Sequence, residues 1–461
     1  MPSDLAGLIA RVFAPSHVQR EAESTGTLAK RMNWAYPQLM QNVWAACLQF
    51  VQECHPCATQ ADFAMVPTAA LRSLEAMKPL NPIFAGAGTT IFTTMSALAV
   101  QHQAINLGQG FPDEDGPEPV RAAAAKALMD GPNQYPPMMG MSSLREALAH
   151  HAEHFYGIKL DWQTQTVVTS GATEALTASI MGLVKPGDEV ILIEPAYDCY
   201  RPVIEAVGGT VRPIRLGPPR WELTADMLAA AFGPKTKAIL INSPMNPAGK
   251  VFSPDELQAI AELVQKHDCL AICDEVYEHL TFEGRRHVPL ATLPGMAERS
   301  VRVGSAGKMF SLTGWKVGWV TGAAPLIAAI AKAHQYLTFT TPNALQVGIA
   351  EGITRHMDFT LGLTRELEAK RNKLRSALQE LGFEALPCDG TYFLTVDISG
   401  LRFNGSDVEF CKAMTERAKV TAIPLSVFYS GEAPLTLVRF AFCKKMPVLE
   451  EAVRRLQVPW L

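Results

Sequence analysis

One lysine, Lys308, carries the covalent chemistry that this chain could do, with a second, Lys316, eight positions on, in the stretch Gly304-Ser305-Ala306-Gly307-Lys308-Met309-Phe310-Ser311-Leu312-Thr313-Gly314-Trp315-Lys316. A lysine amine can form a Schiff base with a carbonyl compound once a pocket shields it from water. The small residues around Lys308 are expected to leave room for a large group beside it. The same lysine also fits a solvated Gly- and Ser-rich turn, so the motif needs partners to mean more. A nucleotide-binding P-loop is excluded. That motif places glycine five residues before its Gly-Lys pair and Ser or Thr after it, where this chain has Arg302 and Met309.

The partners come from the elements that must hold this lysine. Between residues 165 and 345 short apolar runs alternate with helical patterns: Thr166 to Val168, Glu189 to Ile193, Ala238 to Ile241, Leu270 to Cys273, Val301 to Val303 and Val317 to Val320. Such alternation predicts an α/β fold, a large domain whose mostly parallel sheet lies between helices. Ligands bind such sheets beyond the carboxyl ends of the strands. The residues just after each run are therefore the candidate site: Ser170-Gly171-Ala172-Thr173, Glu194-Pro195-Ala196-Tyr197, Asn242 to Pro247, Asp274-Glu275-Val276-Tyr277, and Ser305 with Lys308.

Each tip suits one part of pyridoxal 5'-phosphate. Gly171, Ala172 and Thr173 open a helix whose free amides could hold a phosphate. Ser305 could add a hydroxyl and Lys316 a countercharge. Asp274 closes the apolar run Leu-Ala-Ile-Cys, where a bare carboxylate is costly unless a cation meets it, and a protonated pyridine nitrogen is such a cation. Tyr277 and Asn246 can hydrogen-bond the ring's phenolic oxygen, and Tyr197 can stack on its face. Taken singly, these are ordinary turns and helix caps. Taken together, consecutive tips match one cofactor.

The chain from about Met77 onward resembles the fold-type I pyridoxal-phosphate aminotransferases. The likeness is to the subgroup of methionine aminotransferase, kynurenine aminotransferase and glutamine transaminase K. It is carried by Asn106 to Asp113 (Asn-Leu-Gly-Gln-Gly-Phe-Pro-Asp), Asn133-Gln134-Tyr135, Asp274 to Tyr277, Gly304 to Lys308, Thr313 to Lys316, Ala422 to Phe428 and Val438-Arg439-Phe440. The resemblance implies that Lys308 is the Schiff-base lysine, with Asp274, Asn246, Tyr277, Ser305 and Lys316 in the roles above. It implies that Arg439 binds the substrate α-carboxylate with Gly110 against the same substrate, and that Tyr135 reaches the phosphate site of a neighbouring subunit in a homodimer. Read from the residues alone, Arg439 is either an ion-paired structural arginine or a carboxylate fork. The implied activity moves an amino group from an L-amino acid of methionine, glutamine, kynurenine or aromatic type to a 2-oxo acid. β-Elimination from cysteine conjugates on the same site is the alternative.

Composition sets the remaining bounds. With 48% apolar and 19% charged residues and a formal net charge of −4, the 461-residue chain is an ordinary globular enzyme with no electrostatic case for nucleic acid or an anionic membrane. No apolar stretch approaches the ~20 residues that span a bilayer. The nine cysteines are odd in number, and Cys269, Cys273 and Cys443 sit in apolar runs, which predicts reduced thiols and a cytoplasmic setting. Four segments are expected: a 1–76 extension of unknown role, a 77–118 arm and substrate loop, a 119–345 cofactor domain and a 346–461 small α+β domain. Cys54-His55-Pro56-Cys57 has redox or metal spacing without a second pair, and His150 with His154 reads as a solvated helix face, so no metal site is expected. Ser143 and Glu146 predict a capping box. A regulatory module without turnover would bring a basic nucleic-acid-reading domain, which the charge-balanced first 76 residues do not supply. A structural protein gives Lys308 and Asp274 nothing to do.

Overall fold

A computed structural model of the chain describes residues 78–459 apart from Pro79 and Ala87, and from Asn81 onward these form one compact unit. The 1–76 extension and the Cys54 and Cys57 pair lie outside the described residues. After a single helical turn at Pro82–Ala85, the described chain continues with α1 (Ile91–Gln101), the two-residue β1 (Ile105–Asn106), α2 (Glu118–Asp130) and α3 (Ser142–Tyr156). Helix α2 starts just after Pro117 and stops at Gly131, whose φ of 66° only glycine adopts cheaply. The expected capping box on α3 is absent. That helix starts two residues earlier, with Met141 at its N-cap, and its entry is held by Gln346, whose Oε1 accepts from Met141 N at 2.7 Å.

The site is built on a seven-stranded sheet. Its strands are β2 (Thr166–Thr169), β3 (Glu189–Glu194), β4 (Thr210–Arg215), β5 (Thr236–Asn242), β6 (Leu270–Asp274), β7 (Ser300–Ser305) and β8 (Gly318–Gly322). In space they run β2-β8-β7-β6-β5-β3-β4, all parallel except β8. Helices cover both faces, so the strands are apolar on both sides and read as continuous runs. The period of two is visible in β3, where Val190 and Leu192 join one core and Ile191 and Ile193 the other. On the first face, α4 (Gly171–Leu183) contributes Leu176 and Ile180. On the second, α5 (Pro254–Lys266) contributes Ile260 and Val264, its start fixed by a Ser253/Glu256 capping box. Helix α6 (Ala324–Leu337) returns to the first face with Ile327 and Ile330.

Beyond α7 (Asn343–Arg355), the long α8 (Met357–Glu380) buries Leu363, Leu367, Leu374 and Leu378 as its spacing requires. It leads into an antiparallel sheet of β9 (Glu384–Ala385), β10 (Phe393–Asp397), β12 (Ile423–Pro424) and β13 (Leu437–Ala441), ordered β12-β13-β10-β9. The run from Val420 to Pro424, which looks like one strand, is divided. Its first half, β11 (Val420–Thr421), pairs in parallel with β1, and its second half faces Arg439 and Val438. Leu107 is bonded on both sides, its N to Thr421 O and its O to Ala441 N, so the loop after β1 is stitched to the small sheet.

The glycines around Lys308 serve packing. A Cβ on Gly304 would fall 2.2 Å from Trp319 Nε1, and one on Gly307 would lie 2.9 Å from Thr313 Cα. Their smallness admits β8 and the Thr313 to Trp315 turn rather than a ligand, which corrects the expectation that it leaves room beside Lys308. Gly318 is tighter: its Cβ would lie 2.5 Å from the Gly171 carbonyl carbon and 2.7 Å from Ala172 N. Gly318→Ala must therefore push the α4 terminus out of place. The expected result is a loss of about 1–3 kcal/mol in denaturant unfolding, together with weakened binding at that terminus. Unchanged stability would contradict the packing.

Candidate active site

The carboxyl ends of β2, β5, β6 and β7 open on a cavity of about 370 Å³. Lys308, Asp274, Asn246, Tyr277, Tyr197, Gly171, Ala172, Thr173, Ser305, Lys316, Gly110 and Arg439 all line it. Lys316 arrives by the reversal of β8: because that strand runs against its neighbours, the residue before it lies with their carboxyl ends. Tyr135 is the exception. It is 82% exposed and packs edge-on against Phe339, away from this cavity. His150 and His154 are exposed, as a solvated face requires.

One end of the cavity is made for an anion. Ser170 offers no side-chain cap to the first amides of α4, and Gly171 takes φ 78°. The first-turn carboxylate, Glu174, does not spoil this field. It accepts from Ser170 N, lies 2.6 Å from His334 Nδ1 and accepts from Thr338 Oγ1 at 2.7 Å. The Lys316 amine lies 3.2 Å from where a Gly171 Cβ would stand, and no carboxylate among the described residues pairs with it. A helix N-terminus, a free ammonium and the hydroxyls of Thr173 and Ser305 could together hold a phosphate.

At the centre stands Asp274, only 4% exposed. It accepts from Tyr200 Oη at 2.5 Å and from Val276 N at 3.3 Å, and no cation among the described residues lies within ion-pair distance. Burial pushes its carboxyl up to about 6 against those hydrogen bonds. A buried carboxylate held this way suits a protonated ring nitrogen. Lys308 Nζ donates to Tyr392 Oη at 2.6 Å and approaches Gly110 O at 3.5 Å. Loss of hydration lowers its ammonium to about 8, opposed by Cys443 and Asp274 and aided by Arg439 and Lys316. The amine is thus closer to its reactive neutral form than a surface lysine.

The far end holds a buried arginine. Arg439 is 1% exposed and donates to Asn246 Oδ1 and to Gly108 O, each at 2.8 Å. Its Nε has no partner, and Phe393 lies 3.8 Å below the guanidinium. No carboxylate among the described residues pairs with Arg439, so the ion-paired structural reading does not hold. Burial lowers the guanidinium to about 10.

Sequence reasoning missed four contributors. Tyr200, which holds Asp274, opens a short helix three residues after Tyr197, and only an aromatic residue next to a strand tip hinted at it. Phe393 opens β10, in the other sheet, and Tyr392 is the residue just before that strand. Phe92, on α1, closes the cavity with its ring 5.5 Å from the Arg439 guanidinium.

Fold and site together define a class. Residues 102–456 match the model of the aminotransferase class I and II family, and the chain belongs to that family. It transfers amino groups. Over 381 residues it is 45% identical to a probable N-succinyldiaminopimelate aminotransferase of Mycobacterium tuberculosis, covering 80% of this chain and 96% of that one. It is 44% identical over 370 residues to methionine aminotransferase of Escherichia coli, with coverage of 80% and 96%. To kynurenine–oxoglutarate transaminase 3 of Mus musculus it is 39% identical over 396 residues, covering 80% and 87%. A solved structure of the E. coli methionine aminotransferase superposes with a TM-score of 0.80 at 43% identity, covering 83% of this chain and 99% of that one. The expected family is found, as are methionine aminotransferase and kynurenine transaminase from the expected subgroup, and the succinyldiaminopimelate relative was not anticipated.

Proposed function

We propose that the enzyme holds pyridoxal 5'-phosphate in this cavity and passes the amino group of an L-amino acid with an uncharged side chain to a 2-oxo acid. Methionine, glutamine, kynurenine and the aromatic amino acids are the donors in view. One observation carries the reading: Lys308, Arg439 and Asp274 surround one cavity, and none has an ion-pair partner among the described residues. Three uncompensated groups are costly unless ligands complete them.

When bound, pyridoxal phosphate supplies an electron sink that acidifies the α-hydrogen of an attached amino acid. The chain does the rest. The α4 terminus, Thr173, Ser305 and Lys316 hold the phosphate; Asp274 faces the ring nitrogen; Asn246 and Tyr277 serve the phenolic oxygen and Tyr197 the ring face. Arg439 binds the α-carboxylate, with Gly110 against the substrate, and so turns the α C–H bond toward Lys308. Lys308 first anchors the cofactor. Its amine, once free, would be the base that takes the proton from the donor's α-carbon and the acid that gives it back.

Tyr135 is exposed and lies off its own chain's cavity, as a residue that serves a neighbouring subunit in a homodimer would. Buried thiols at Cys269, Cys273 and Cys443 support a reducing, cytoplasmic setting. No helix of the described residues is long and apolar enough to cross a membrane.

Arg439 is the only arginine lining the cavity among the described residues, which leaves a side-chain carboxylate unpaired. The test is a single half-reaction: cofactor-loaded enzyme is mixed with methionine, glutamine, kynurenine, phenylalanine, aspartate or a cysteine conjugate, with no 2-oxo acid present. The reading expects one equivalent of 2-oxo acid from an uncharged donor, at a rate at least about tenfold above aspartate. Aspartate as the fastest donor contradicts the substrate class. Repeated turnover to pyruvate from the cysteine conjugate alone contradicts transfer.

A further inference from the structure

Lys308 meets a hydroxyl that no strand tip predicted. Tyr392 is 2% exposed and lies at the junction of the small sheet with the cavity, its Oη accepting from Lys308 Nζ at 2.6 Å and donating to Gly110 O at 2.5 Å. The placement is fixed from several sides. Thr391, at φ 69°, bonds its N to Leu280 O and accepts from Phe393 N at its hydroxyl; Tyr392 O accepts from Phe442 N; and the Tyr277 ring packs edge-on against the Tyr392 ring at 5.3 Å. A Cβ on Gly390 would lie 2.6 Å from Leu280 O, so the turn that aims Tyr392 cannot widen.

We propose that Tyr392 is a further catalytic residue, whose hydroxyl docks the amine of Lys308 whenever that amine is free and holds it beside the substrate loop at Gly110. The proposal rests on the reading of Lys308 above. As the C–H bond of the donor breaks, its proton forms a new N–H bond on Lys308, and the resulting ammonium donates one hydrogen to Tyr392 Oη. Tyr392 itself neither gains nor loses a proton. Burial holds its phenol well above the ordinary range, and its hydroxyl has Gly110 O and the Tyr277 hydroxyl as further hydrogen-bonding neighbours. The hydroxyl is a neutral acceptor that steadies the charged amine and aims it. It loses that partner each time Lys308 re-forms its bond to the cofactor.

The same contact ties proton transfer to the loop. Gly110 lies on the segment between β1 and α2, which Lys444 clamps through Phe111 O at 2.8 Å and Asp113 Oδ1 at 3.1 Å. Tyr392 therefore bridges the moving amine and a fixed loop.

The test is Tyr392→Phe, which removes one oxygen and leaves the ring packing. In the loaded enzyme, kcat for methionine is expected to fall about 10-fold to 100-fold, the loss of one hydrogen bond to a charged group, with KM within about threefold. The kinetic isotope effect with α-deuterated methionine is expected to rise as proton transfer becomes more limiting. A second readout needs no turnover. In the full chain freed of cofactor, Lys308 acetylation followed by mass spectrometry against pH is expected to shift to lower pH, because the ammonium has lost an acceptor. Unchanged kcat, isotope effect and acetylation profile overturn the proposal, as does a rise in KM alone, which assigns Tyr392 to loop packing. Should Tyr392→Phe not fold, Tyr392→Met, without a hydroxyl, is read in the same way. If Lys308→Ala retains transfer, the underlying reading fails; if that variant is inactive and Tyr392→Phe is not impaired, only the role of Tyr392 fails.

Discussion

Lys308→Ala is expected to leave a folded protein with amino transfer reduced by about four orders of magnitude or more, the scale on which a covalent participant that is also the proton carrier is lost. The structure gives the reason. Lys308 is the one amine at the centre of the cavity, lowered to about 8 by its loss of hydration, and Lys316 stands instead at the phosphate end beside Gly171. The variant should still bind pyridoxal phosphate weakly, through the α4 terminus and Asp274, while losing the absorbance of a covalently attached cofactor. Removing a buried cation with no counterion should not unfold the chain. Circular dichroism and cofactor absorbance, measured beside turnover, separate these effects. Retained transfer in a protein with no amine at this position would remove the basis of the proposed function.

Arg439→Ala is the second large effect. In the free enzyme the guanidinium is buried on Phe393, spends Nη1 on Asn246 and Nη2 on Gly108 O, and faces no carboxylate. A substrate carboxylate would complete it. Truncating one partner of a buried, hydrogen-bonded charge pair costs about 2–5 kcal/mol, so kcat/KM for methionine is expected to fall by about 10²-fold to 10³-fold. The control is a donor without the charge. Methioninamide should lose far less between wild type and variant, because it never engages the guanidinium. An equal loss for both donors would show that Arg439 acts by holding Asn246 and the Gly108 loop in place. Arg439→Lys should recover little, since an ammonium cannot reproduce the fork.

The site was legible where one rule applied, that the residues after buried parallel strands face the ligand. Asp274, Asn246, Tyr277 and Gly171 follow apolar runs whose burial on both faces makes them stand out in the sequence, and Lys308 follows the run that becomes β7. Lys316 obeyed the rule through the reversed β8. Where the chain departs from that pattern, the reading weakened. β4 was missed because it is an edge strand with alternating exposure and Pro213 inside it, so it lacks a continuous apolar run. Tyr392 was missed because it comes from the turn that leads into another sheet, 84 residues from the lysine that it touches. Nothing local marks such a contact. Gly304 and Gly307 were read as making space for a ligand when they make space for Trp319 and Thr313, a difference visible only once β8 is laid beside β7. The split of the Val420 to Pro424 run follows from Leu107, which takes up Thr421 O and sends the rest of the run to a different neighbour.

The central claim is that Lys308 carries the cofactor, and it can be read at a single residue. Protein loaded with pyridoxal phosphate is reduced with borohydride, digested, and the modified peptide is sequenced by mass spectrometry. The phosphopyridoxyl group is expected on Lys308, at close to one per chain, and methionine added before reduction should prevent it. Modification of Lys316 instead, or a label scattered over surface lysines and indifferent to methionine, would contradict the account.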